Sequence, residues 1–198
     1  MNSQVILFWS ILVVLFGLVY FLDLKYNMLR DLSKAPRKPY SYGRVQLAWW
    51  SVIVLAAFVA VTWEKGIPTL DASTLILLGI SCATTGAGRL VDLSDITMGL
   101  LRDQDRDCES FFIDILSDAN GINIQRFQAL VFNVTFGIWF VLQVSNHLPV
   151  MSGPDGIIPA IDPNNLVLLG LSSGTYAALK TTENRSSQKQ LKLKEKSE

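Results

Sequence analysis

The residues that could do chemistry are few, and their spacing points away from catalysis. The single histidine, His147, has no cysteine or paired carboxylate near it in sequence. A metal site or a nucleophile–base–acid triad needs more partners than that. Cys82 lies in an apolar stretch and Cys108 in an acidic loop, so no disulfide is predicted. There is no phosphate loop, no dinucleotide-binding glycine motif and no Cys-x-x-Cys pair. Asp114 to Asn120 lacks the ligand spacing and fixed glycine of a calcium loop. The expectation is a protein that is not an enzyme and holds no cofactor or metal.

What remains is polar chemistry set within apolar surroundings. Gly79, Ser81, Ala83 and Thr84 recur as Gly170, Ser172, Gly174 and Thr175. Small residues four apart share a helix face and let a second helix approach closely. Their hydroxyls either bond back to the preceding turn or line a pore or groove. Arg44 and Arg126 open two apolar stretches, where a guanidinium snorkels to phosphate headgroups or caps a neighbouring helix end. Gln46 and Gln128 lie two residues deeper and are placed to bond across to a hydroxyl stripe on a neighbouring span. Asn133 and Gln143 add amides inside one span, where they bind an adjacent helix or face a polar path. A further loop gathers Asp103, Asp105, Asp107 and Glu109, followed by Phe111 and Phe112. It reads as a surface helix that docks a cytosolic protein partner, or as an acidic vestibule for cations.

The elements that carry these residues are read from charge. Five stretches hold no Asp, Glu, Lys or Arg: Val5 to Leu22, Val45 to Trp63, Ala72 to Gly88, Phe127 to Leu148 and Pro163 to Leu179. Each has about the 17–25 residues that span roughly 30 Å of hydrocarbon as a helix. None shows the polar face of a water-soluble amphipathic helix, and helices satisfy their own backbone in lipid. The first stretch lacks a basic leader and a small-residue cleavage site, which suits a retained anchor. With the N-terminus outside and the C-terminus cytoplasmic, 16 of the 17 Lys and Arg fall inside, and only Lys65 lies outside. That is the positive-inside bias. Trp9, Tyr20, Trp49, Trp50, Trp63 and Tyr176 stand near span ends and are expected to act as interfacial anchors.

One hairpin occurs twice. Arg44-Val45-Gln46 matches Arg126-Phe127-Gln128, 82 residues on, and the Leu77–Thr84 motif matches Leu168–Thr175, 91 residues on. Asp71 and Asp162 precede these motifs, and Arg89 and Lys180 close them. The nine extra residues of the second copy fall in a Gly- and Pro-rich outer loop around Met151 to Pro159. Both copies run in the same sense, unlike inverted transporter repeats.

The expected fold is therefore all-α: a polytopic membrane protein of about five transmembrane helices, two parallel-repeated hairpins and an N-terminal anchor. The parts are an anchor with a basic inner linker (1–40), a first hairpin (41–91), an acidic cytoplasmic loop (92–125), a second hairpin (126–180) and a flexible cytoplasmic tail (181–198). The mixed charge of that tail gives no case for nucleic acid. The expected setting is a bacterial inner membrane, with the lipid bilayer and further copies of the chain as partners. The expected role is an oligomeric assembly forming a pore or channel. The alternative is a membrane anchor or sensor that recruits a cytosolic protein through its acidic loop.

Overall fold

A computed structural model describes residues 2–99, 105, 107–118 and 121–195, with side chains up to residue 180. The described chain is mostly helical. Its elements are α1 (Ser3–Tyr26), α2 (Tyr42–Lys65), α3 (Ala72–Thr97), α4 (Phe111–Leu116), β1 (Ser117–Asp118), β2 (Gly121–Ile122), α5 (Ile124–His147) and α6 (Pro163–Glu195). The two strands form a single antiparallel pair.

The helix ends follow from local chemistry. Asp71 caps α3 by accepting from the Ser73 N–H at 2.8 Å. Asn123 accepts from the Gln125 and Arg126 amides at the start of α5. Pro163 opens α6, where its missing N–H costs nothing, and Asp162 accepts from the Asn164 N–H. α1 stops at Asn27, which takes the left-handed conformation that short polar side chains tolerate.

Among the described residues, four helices are long and apolar enough to cross a membrane: α1, α2, α3 and α5. α6 begins with the charge-free stretch Pro163–Leu179 and runs beside α3. α2 is the centre of the bundle, in contact with α1, α3 and α5, while α6 touches both α3 and α5. Trp50, Ala57, Leu77, Phe140, Val144 and Leu169 are wholly buried where these helices meet. Among helices in lipid, such interdigitation holds neighbours together in place of the hydrophobic effect. Gly137 shows how tight it is: a Cβ there would come within 2.6 Å of the Trp49 ring.

The connection between α5 and α6 folds over one end of the bundle, and its Ile157, Ile158 and Ile161 are buried. Asp155 accepts from both the N–H and the hydroxyl of Thr69, at 2.9 and 2.7 Å, and the Ile161 N–H donates to Ser73 Oγ at 2.8 Å. At this end the segments before α3 and α6 are therefore joined to each other.

Two boundaries and the setting of two aromatic residues differ from expectation. α3 continues to Thr97, so Asp92 and Asp95 stand on a helix and are buried, rather than opening a solvated loop. α6 continues as helix to Glu195 instead of giving way to a loose tail after residue 180. Trp50 and Tyr176 are buried within the chain and are not interfacial anchors, whereas Trp63 and Tyr20 are exposed.

The buried faces of the two hairpins also coincide, though not in the register of the motifs. Gln46, Trp50, Val54, Ala57 and Val61 are buried on α2, and Ala129, Asn133, Gly137, Phe140 and Val144 are buried on α5. Each pair is 83 residues apart. On α3 and α6, Thr74, Leu77, Ser81, Thr84 and Gly88 answer Leu166, Leu169, Ser173, Tyr176 and Lys180, each pair 92 apart. The short motifs match at 82 and 91. A one-residue shift turns a helix by about 100°, so motif partners fall on different faces. Gln46 is buried, for example, while Gln128 is exposed.

Candidate functional site

The polar residues collect at one end of the bundle, where α1 and α3 finish and α2 and α5 begin. Sequence reasoning did not single out the centre of this cluster. Lys180 on α6 has a side chain only 2 % exposed, and its Nζ lies 3.3 Å from Asp31 Oδ2 and 3.2 Å from Asp92 Oδ1. Asp31 belongs to the linker after α1 and Asp92 to α3, so one ammonium joins three separated segments. Gly88 lies against it: a Cβ there would make an ordinary contact 3.7 Å from Nζ. Burial opposes the charge on Lys180, but Tyr176, Asp31 and Asp92 outweigh that effect and hold its pKa above the usual lysine range. The available signal was Lys180 itself, a cation closing an apolar run. Its partners could not be found without the fold, because Asp31 is 149 residues away.

One turn deeper, Tyr176 meets Tyr42 at a tilt of 53° with ring centroids 4.8 Å apart, and the Arg126 guanidinium lies 5.3 Å from the Tyr176 ring. Below this, Asn133 is a buried hub. Its Oδ1 accepts from Trp50 Nε1 at 2.6 Å, and its Nδ2 donates to the Ala129 carbonyl at 2.7 Å and to the Tyr42 hydroxyl at 3.1 Å. Gln46 Nε2 donates to Ser173 Oγ at 2.8 Å, which links α2 to the neighbouring α6. Gln143 is half-buried and makes no hydrogen bond among the described residues. Gln46 and Asn133 thus fasten helices to one another.

The hydroxyl stripe bonds back to its own helices. Ser81 and Thr84 donate to the carbonyls four residues back, Leu77 and Ile80, and Ser172 donates to Leu168. Gly79, Ala83, Gly174 and Thr175 face outward, away from the core. A Cβ on Gly79 or Gly174 would meet nothing within 4 Å. Arg44 donates from Nη1 to the Met28 carbonyl at 3.3 Å, and Arg126 Nη1 donates to the Ser117 carbonyl.

The acidic loop folds back as a cap on the linker after α1. Asp105 accepts from the Lys34 N–H at 2.9 Å, Asp107 from the Arg37 N–H at 3.3 Å, and Asp114 from the Tyr40 N–H at 3.2 Å. Its acids thus serve linker amides rather than standing free in solvent. Phe111 meets Tyr40 edge-on at 5.0 Å, whereas Phe112 is 65 % exposed. Ser110 caps this short helix, and Glu109 N–H donates to Asp114. Burial and the neighbouring Asp114 push the Cys108 thiol up, which makes it a poor nucleophile. Asp103 lies outside the described residues. No group of acids, cysteines or histidine could hold a metal ion among the described residues.

These features define a helical membrane protein with a filled core and a polar cap at one end. Comparison with protein families, with curated proteins and with solved structures gave no match.

Proposed function

We propose that the chain is a subunit of a homo-oligomeric assembly in the bacterial inner membrane, with five crossings that include the apolar part of α6. On this proposal the N-terminus lies outside and the polar cap faces the cytosol, as the basic residues favour. The coincident burial of α2–α3 and α5–α6 supports two parallel copies of one hairpin. The carrying observation is the outward set of Gly79, Ala83, Gly174 and Thr175 on two adjoining helices. Small residues that pack against nothing in their own chain give a second chain's backbone room to approach. Because each subunit is filled by Trp50, Phe140, Leu77 and Leu169, a conducting path would run between subunits and not through one.

Cys82 supplies the test, because it is exposed and lies one turn from Gly79 and Gly86 on the same face of α3. Mild oxidation of native membranes should give a disulfide-linked dimer that Cys82→Ser abolishes and Gly79→Leu weakens. Vesicles holding the assembly should pass ions, and Gly79→Leu should reduce that flux. A monomeric mass in detergent together with no Cys82 cross-link overturns the proposal.

A second reading rests on exposed Phe112 beside the ordered cap: the chain anchors a cytosolic protein there. Loss of a co-purifying partner from Phe112→Ser, in a chain that passes no ions, favours it.

A further inference from the structure

We propose that the cleft between α1, α2 and α3 at the polar end binds one anionic glycerophospholipid, with its phosphate at Arg44 and Arg89 and an acyl chain along α2. The cleft is open to one side and has a volume of about 460 Å3, within the roughly 300–1,000 Å3 of small-molecule sites. Its floor is Leu47, Ala48, Ser51 and Val52 on α2, and Val19 of α1 forms a wall. The two guanidinium groups line the same cleft. The groove is thus apolar along its length and cationic at the end where α2 begins, as a phospholipid is apolar along its chains and anionic at its head.

The charge is available for a ligand. Arg89 is exposed and makes no hydrogen bond or ion pair among the described residues. Arg44 donates to the Met28 carbonyl and has further N–H groups to offer. Asp31 and Asp92 are close by, but Lys180 lies between them at ion-pair distance. Three cations against two carboxylates leave a local surplus of one positive charge, which suits a phosphodiester monoanion. The planar guanidinium fork matches phosphate oxygens, and basic pockets between membrane helices take anionic headgroups. A free inorganic anion would leave the leucine and valine floor unfilled, whereas a lipid satisfies both halves of the cleft.

The test uses the full chain, purified in detergent and stripped of lipid, with retained lipid counted by native mass spectrometry. With phosphatidylglycerol and phosphatidylcholine offered equally, one phosphatidylglycerol should be retained about fivefold more strongly, the scale of a single basic side chain at a membrane surface. Arg89→Ala should remove that preference and leave phosphatidylcholine retention unchanged. Ala48→Phe should fill the floor and expel both lipids. Equal retention of the two lipids by the wild-type chain, or an undiminished preference in Arg89→Ala, overturns the proposal. So does displacement of phosphatidylglycerol by millimolar inorganic phosphate, which would mark a plain anion site. Arg89 has no contact that the fold depends on, so its variant remains informative even if Ala48→Phe fails to fold.

Discussion

Replacing Lys180 with methionine keeps the length of the side chain and removes the charge that joins the linker, α3 and α6. At 3.2–3.3 Å and an effective dielectric of about 20, each ion pair carries roughly 5 kcal/mol of Coulomb attraction. Desolvation of three buried ions, at several kcal/mol each, cancels most of that sum. The intact cluster is therefore close to neutral in net stability, but a broken one is not. Lys180→Met leaves two carboxylates buried without their cation, and the cost is about 3–5 kcal/mol. For a chain of this size that lowers the unfolding midpoint by roughly 2–4 °C per kcal/mol. The readout is thermal unfolding in mild detergent, followed by near-ultraviolet circular dichroism. Lys180→Met combined with Asp31→Asn and Asp92→Asn should regain most of the loss, because no unpaired charge stays buried. The pH profile adds a second check. The folded pKa of Lys180 lies above its ordinary 10.5, so its contribution is complete below that pH and is lost only as alkali titrates the folded side chain. An unchanged midpoint in Lys180→Met, or a triple variant as damaged as the single one, refutes the reasoning.

Asn133→Leu should cost about 1–3 kcal/mol by leaving the buried Trp50 N–H without its acceptor, and the same melting assay measures it. Gly137→Val should prevent close contact of α5 with Trp49 and cost about 1–3 kcal/mol as an overpacked contact; tryptophan emission reports the displaced ring. The Thr69 N–H, and then its hydroxyl, hold the Asp155 carboxyl below its ordinary 3.8. Its contribution is therefore present above that pH and fades as acid titrates the folded group. Asp155→Ala should flatten the acid limb of the stability–pH curve, measured as the unfolding midpoint at stepped pH. A limb as steep as that of the wild-type chain would contradict the expectation.

The apolar helices were legible because a bilayer imposes one blunt requirement, a long run without charge. That alone located α1, α2 and α5 to within a few residues, and the start of α3. The ends were harder. Asp92 and Asp95 look like the start of a solvated loop, yet α3 carries them inward because Lys180 waits for Asp92. The repeated motifs drew attention to Gly79, Ser172 and Gln128, but burial follows a register one residue away. The side chains that hold the core are Trp50, Ser173 and Tyr176 instead. Asn133 was visible as an amide in an apolar run, whereas its partners Trp50 and Tyr42 lie on α2, 83 and 91 residues away, and only folding brings them together. The acidic loop was conspicuous by composition. That its acids bind the backbone of residues 34–40 depends on a contact about 70 residues away in sequence.

The ion cluster has a consequence for how the chain is made. Synthesis runs from the N-terminus, so Asp31 and Asp92 leave the ribosome long before Lys180 does. Until α6 is in place, two carboxylates at the end of a nearly complete bundle lack the ammonium that joins them in the finished chain. Arrival of the last helix supplies the missing ammonium and closes that end. A chain truncated before residue 180 would lack the one side chain that ties the linker after α1 to α3 through α6.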